Sequence, residues 1–253
     1  MKIKYYYLLI FQLSSLYFID LSCAIAKKPK IALVGAHDTI YEPCGKYAHE
    51  NKRRYAKKHN YDVILYNELL SHKYAPYWGK VIALQKHLKD YDWLFWLDSD
   101  ALIMNDEIKL EDLVDDNYDF ITTRDCLLNV NSGDFIIKNC DWSKKFLDDW
   151  LAADGAVVDG AGVDNGALLK LYQESQETRN HFKIIPLRML SSFPVCPLHY
   201  KVDGQYVEDD FVIHMAGCPT FQCKVDLMRK YYAKLYGKDD PLLKSQKNKH
   251  YKV

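Results

Sequence analysis

After the first 26 residues, short apolar runs take turns with longer stretches of helical period. KIALVG (Lys30–Gly35) is a compact apolar run ending in glycine and reads as a buried strand. From Lys46 to Asn60, the residues Tyr47, Ala48, Tyr55 and Ala56 share one helical face among lysines and arginines. DVILY (Asp62–Tyr66) is a second strand, and Trp78, Val81, Ile82, Gln85 and Leu88 give a second helical stripe. WLFWL (Trp93–Leu97) has no polar position and predicts a strand buried on both faces. YDFITT (Tyr118–Thr123) and DFIIK (Asp134–Lys138) are strand-like, with Asn131-Ser132-Gly133 as a polar turn before the latter. A helix follows through Phe146, Leu147, Trp150 and Leu151, capped by Asp141 or Ser143. Helical spacing returns from Asn165 to Tyr172 and from Val225 to Leu235, while FKIIPL and DFVIH (Asp210–His214) read as strands.

Strands alternating with helices predict an α/β sandwich on a mostly parallel central sheet. In such sheets ligands collect at the carboxyl ends of the strands. Gly35 to Asp38, Asp98-Ser99-Asp100, Thr122 to Asp125, and His214 all fall at such ends.

The aspartate pair changes the picture most. Asp98 and Asp100 close a strongly apolar segment, where a buried strand has no use for charge. On an extended chain residues i and i+2 project to one side, so the two carboxylates repel, and burial makes both charges costlier. A divalent cation removes that conflict, and hard oxygen ligands suit Mg²⁺ or Mn²⁺. His214 ends another apolar run, and an imidazole as third ligand favours Mn²⁺. Asp164 stands at a helix start, where it also suits an N-cap.

Four ordered blocks extend these observations. WLFWLDSDALIMN resembles the DxD segment of glycosyltransferase family 34; NSGDFIIKNCDWSKKFLDDW, VDNGALL and FVIHMAGC resemble three later blocks of that family. NKRRYAKKHNYDVILYN and YWGKVIALQKHLKDYDW fit its upstream pattern. The resemblance implies a GT-A fold, a nucleotide-sugar donor such as UDP-galactose or UDP-xylose, a glycan or glycoconjugate acceptor, Mn²⁺, and transfer with retention. It makes Asp98, Asp100 and His214 metal ligands and puts Asp164 and Asn165 beside the anomeric carbon as catalytic residues. The substrate-binding set it implies is Val34, Gly35, Lys80, Ser99, Asn131, Ser132, Gly133 and Gly217, with Lys80 at a phosphate. Asn165 stands where the family has Gln, Asp134 where it has an uncharged residue, and Pro219 where plant members carry a basic residue. Those departures, and the absence of a long stem, keep a second reading open: a lumenal nucleotide- or sugar-binding protein of the same fold with weakened turnover. Haloacid-dehalogenase-like phosphatases also use Asp-x-Asp after a strand, but on an early strand and usually followed by Thr or Val; Ala101 follows here.

Composition sets the remaining bounds. The 253 residues are 49% hydrophobic, enough for one sizeable core. Lys plus Arg equals Asp plus Glu at 34 each, which gives no electrostatic case for nucleic acid. Lys2 and Lys4 precede an apolar run from Tyr5 to Ile19, and Ala24-Ile25-Ala26 supplies a small-x-small site. Residues 1–26 therefore read as a signal peptide or a short signal-anchor. Either places a 28–238 transferase domain in the ER or Golgi lumen, or outside the cell, with 239–253 as a basic, disordered tail. Of seven cysteines, six follow the leader; Cys218 and Cys223 could close a short loop. No C-x2-C pair marks a zinc site. Oligomeric state is open between homo- and hetero-oligomer.

Overall fold

The computed structural model describes residues 28–125, 129–158, 161, 163–194 and 204–244. The leader, Cys23, Cys126, Cys196 and the tail from 245 lie outside the described residues.

A six-stranded sheet has the order β2-β1-β3-β6-β5-β7. It is built from β1 (Ile31–Ala36), β2 (Asp62–Tyr66), β3 (Trp93–Leu97), β5 (Phe120–Arg124), β6 (Val130–Lys138) and β7 (Phe182–Ile184). Pairings β1–β2, β1–β3 and β5–β7 are parallel; β6 runs antiparallel to β3 and β5. The sheet is thus mostly parallel, as expected, with one reversed strand in its middle. Alternation along β3 sends Leu94 and Trp96 into one core and Trp93, Phe95 and Leu97 into the other, which explains a run with no polar position.

On the first face lie α2 (Gly79–His87), α3 (Asp141–Ala152) and α4 (Val163–Glu174), around an aromatic slab of Phe120, Phe135, Phe146, Trp150 and Phe182. The other face is covered by α1 (Glu42–His59) and the segments around Leu190 and Phe211. A short α5 (Gln176–His181) leads into β7. α1 begins earlier than its stripe suggested because Pro43 suits a first helical turn. It ends at Asn60 in the left-handed region (φ 58°), after Lys57, Lys58 and His59 in the last turn.

Several expectations need correction. Asn131-Ser132-Gly133 is not a turn; it lies inside β6, whose polar first half is buried. β8 (Val212–His214) does not join the main sheet; it pairs antiparallel with the unforeseen three-residue β4 (Ala101–Ile103), placing Ala101 opposite His214. The cap of α3 is Cys140, whose Sγ accepts from Ser143 N. The last helix, α6, spans Phe221–Tyr236 behind its Thr220 cap. Residues 239–244, assigned to a disordered tail, are folded: Pro241–Lys244 forms α7, Leu243 is buried, and Asp240 accepts from Arg54 at 2.8 Å. Cys218 and Cys223 are not joined to each other, so no 218–223 loop is closed. Among the described residues no helix is long and apolar enough to cross a membrane.

Candidate active site

A cleft of about 730 Å³ opens at the carboxyl ends of the parallel strands, with Asp98, Asp100, Asp164 and His214 in its lining. Because β6 runs the other way, its first residues, Asn131 to Gly133, arrive at the same end.

The aspartates do not share a side by strand alternation. β3 stops at Leu97, and residues 98–100 form the turn into β4. The two-stranded ladder does the rest: His214 lies opposite Ala101, and Met215 N donates to Asp100 O at 2.9 Å. His214 Nε2 then stands 3.3 Å from Asp100 Oδ1 and 3.9 Å from Asp98 Oδ2. One ligand atom from each of the three residues lies within 4.8 Å of the others, a spacing that fits one divalent cation. Gly133 makes the arrangement possible: a Cβ there would come within 2.3 Å of His214 Cε1.

Behind the imidazole sits a carboxylate the sequence marked only as a departure. Asp134 is fully buried, and its Oδ2 lies 3.0 Å from His214 Nδ1 and 2.5 Å from Ser191 Oγ. A carboxylate on Nδ1 fixes the tautomer and aims Nε2 at the metal position. Burial pushes the His214 pKa down, but Asp134 and Asp100 outweigh it and hold it well above the usual histidine value. Asp98 is raised because burial outweighs the pull of Lys80 and His214. Asp100 feels the same burial, yet Lys224 and His214 hold it below the usual carboxylate range.

Three lysines enter this acidic cluster. Lys80 Nζ lies 2.8 Å from Ser132 O, 3.2 Å from Asp98 Oδ1 and 2.7 Å from Asp164 Oδ2. All three of its hydrogens have protein partners, so Lys80 bridges the two carboxylates rather than waiting for a phosphate. Lys52, fully buried, donates to Asp98 O at 3.2 Å; burial lowers its pKa to about 8 against the pull of Asp134, Asp98 and Asp100. Lys224 pairs with Asp100 Oδ2. The sequence carried a signal for Lys52, which falls four residues from both Ala48 and Ala56 on the apolar stripe of α1.

Asp164 Oδ2 also accepts from Ser132 Oγ at 2.8 Å, and Asn165 Oδ1 from Ser132 N at 3.0 Å. Both residues face the cleft from the start of α4, as do Ser99, Asn131, Ser132 and Gly217. Val34 and Gly35 do not reach it. Val34 is fully buried in β1, and a Cβ on Gly35 would come within 3.0 Å of Lys52 Cε. The strand runs one residue further than expected, so Ala36, His37 and Asp38 line the cleft instead.

The comparisons with known proteins agree with this geometry. Residues 34–125 and 113–224 match the galactosyl transferase GMA12/MNN10 family. The probable α-1,6-mannosyltransferase MNN10 of Saccharomyces cerevisiae is 29% identical over 216 residues, covering 67% of this chain and 54% of its own length. Galactomannan galactosyltransferase 1 of Cyamopsis tetragonoloba is 32% identical over 114 residues, 41% of this chain and 26% of that protein. The chain thus spans about half or less of these relatives' length. A crystal structure of a glycosyltransferase involved in the glycosylation of the major capsid of PBCV-1 superimposes with a TM-score of 0.62 at 14% identity, over 80% of this chain and all of that one. The bifunctional glycosyltransferase WbbM gives 0.59 at 12% identity over 87% of this chain and 51% of its own. These likenesses establish a GT-A fold, and the family match, covering well over half of the sequence, establishes the lineage: the chain belongs to the galactosyl transferase GMA12/MNN10 family, glycosyltransferase family 34.

Proposed function

We propose that this protein is a metal-dependent, retaining glycosyltransferase that moves a hexose or pentose from a UDP-sugar to a glycan or glycoconjugate acceptor. The observation that carries the reading is the convergence of Asp98, Asp100 and His214 within 4.8 Å, in a cleft whose lining also includes Asp164 and Asn165. Two carboxylates and an imidazole suit Mn²⁺ better than Mg²⁺. A divalent cation held there neutralises charge on the donor diphosphate and so makes it a better leaving group.

The chain's own groups do the positioning. Trp96 Nε1 donates to Asp98 Oδ1 at 2.7 Å, which fixes that carboxylate's rotamer before any ligand arrives. Gly217, at φ +71° with open space where a Cβ would stand, lets backbone approach the phosphates. Asp164 has Oδ2 engaged by Lys80 and Ser132, so it serves as a fixed negative charge beside the developing positive charge of the sugar. The acceptor then attacks on the face the diphosphate leaves. Asn165 has its carbonyl oxygen on Ser132 N, so its NH₂ is the end that can donate to the sugar. The relatives named above are a mannosyl- and a galactosyltransferase, which supports a hexose donor. The leader-like first 26 residues support the secretory lumen as the place of action.

Calorimetry with Mn²⁺ and UDP, followed by UDP-release assays across a panel of donors and acceptors, tests this reading. Mn²⁺-dependent UDP binding with release from one donor is expected. Binding without release from any donor would make the protein a sugar-nucleotide-binding member of the family instead. No binding of either probe would remove the transferase reading.

A further inference from the structure

Lys224 carries an inference of its own, which rests on the reading of the metal site just given. It is the fourth residue of α6, and its Nζ is ion-paired with Asp100 Oδ2. The stem lies beside the Tyr41 ring, with Nζ 5.7 Å from the centroid, and the side chain is 16% exposed. A basic residue in a first turn faces the positive end of the helix dipole, so local helix energetics disfavour a lysine here. Its reason for being there lies across the cleft.

Among the described residues, two lysines and no arginine line the cleft, Lys80 and Lys224. Lys80 already has three protein partners. Lys224 is therefore the cation free to meet an anionic ligand, and its present partner is one of the three candidate metal ligands. Asp100 Oδ2 cannot be held by an ammonium group and be given to a dication at full strength. Ala216 and Gly217 line the same cleft as Lys224, and Gly217 has open space where a Cβ would stand.

We propose that Lys224 is an exchanging cation: it neutralises Asp100 on its own, yields that carboxylate to the divalent metal, and turns to the diphosphate of the nucleotide sugar. Metal and nucleotide then bind as a linked pair. The lysine opposes the metal alone and favours the metal together with a diphosphate, which is the requirement for reciprocal coupling between two ligands.

The test uses the full chain as wild type, Lys224→Met and Lys224→Arg. Mn²⁺ alone is titrated by the electron paramagnetic resonance of free Mn²⁺, and UDP by calorimetry at saturating Mn²⁺. Removing a like charge a few ångströms from the metal position makes Lys224→Met bind Mn²⁺ alone about tenfold more tightly. Losing a charge-assisted contact to phosphate makes the same variant bind UDP about tenfold or more weakly. Lys224→Arg restores most of the UDP affinity. The opposite signs are the signature, since a purely structural lysine would weaken both. A wild type that takes up neither probe overturns the underlying reading of the site. A wild type that takes up both, while Lys224→Met moves them in the same direction or leaves UDP unmoved, overturns this inference alone.

Discussion

The two halves of β6 are equally buried and chemically opposite. Asn131, Ser132 and Asp134 are at most 8% exposed, and so are Phe135, Ile136 and Ile137. In the first half the polar side chains are matched to groups elsewhere in the chain. Asn131 donates to Ser191 Oγ and accepts from Gly133 N, Ser132 bonds Asp164, and Asp134 holds His214. In the second half the side chains alternate into the two apolar cores, Phe135 and Ile137 to one and Ile136 to the other. The strand's reversed direction explains the division: its start meets the carboxyl ends of the parallel strands, and its second half runs back between β3 and β5 to their amino ends. Burial alone therefore does not say what a residue contributes. Deleting an apolar group here leaves a cavity; deleting a polar one leaves a partner with an uncompensated charge.

The largest effect should come from the polar end. Asp100→Ala removes one of the three candidate metal ligands and strips His214 and Lys224 of a shared carboxylate. Transfer, measured by UDP release, should fall by roughly 10³-fold, together with Mn²⁺ binding. Unchanged turnover would take Asp100 out of the metal site. At the apolar end, Ile137→Ala should cost about 2–5 kcal/mol in urea unfolding. Ile137 lies three residues from Asp134, roughly 10 Å along the strand, so Mn²⁺ affinity should stay within about threefold of wild type. A large loss of metal binding in that variant would mean that the two halves are coupled, against the comparison.

What the sequence disclosed follows the same division. β2 and β3 begin and end where their apolar runs do, because polar residues flank runs whose alternate positions enter two cores. The polar half of β6 was illegible as strand: Asn-Ser-Gly-Asp has turn composition, and only partners 32 to 80 residues away make those positions buried. β4 is three residues long and carries no period of its own; it is a strand because β8 pairs with it. The spacing Asp98-Ser99-Asp100 and the terminal His214 pointed to a metal, although the carboxylates converge through a turn rather than along a strand. The counter-charges were hidden for a plainer reason. Lys52 is marked only by its place on the apolar stripe of α1 amid other basic residues, and nothing around Lys224 in sequence sets it apart from a solvated lysine until folding brings it to Asp100.

A smaller change at the polar end separates orientation from ligation. Asp134→Asn keeps an acceptor for His214 Nδ1 and removes the charge behind the ring. Loss of such a partner weakens metal affinity about 10- to 100-fold. Mn²⁺ titration of the folded variant reads this directly, without any transfer assay. An affinity equal to wild type would show that Gly133 and the β4–β8 ladder suffice to aim the imidazole.

The last prediction uses a second buried histidine, which has no carboxylate beside it. His49 is 2% exposed, packs tilted against the His37 ring with centroids 4.4 Å apart, and hydrogen-bonds Asn67 Oδ1 through Nδ1 at 3.1 Å. Its Nε2 is buried with no hydrogen-bond partner among the described residues. Burial first, then Lys52 and His37, lowers its pKa from 6.5 to about 2. Below pH 6.5 the unfolded chain takes a proton there and the folded chain does not, so stability falls as pH falls. His214 is shifted the other way: its contribution is complete below 6.5 and is lost only as pH rises towards its raised value. The two windows do not overlap, which lets them be read separately. Between pH 6.5 and about 5 His49 should remove roughly 2 kcal/mol of stability. Urea unfolding of His49→Gln should lack that increment while keeping the decline above pH 6.5. Equal pH dependence in variant and wild type would mean that the His49 ring accepts a proton within the fold, and that a buried polar group without a charged partner is tolerated here.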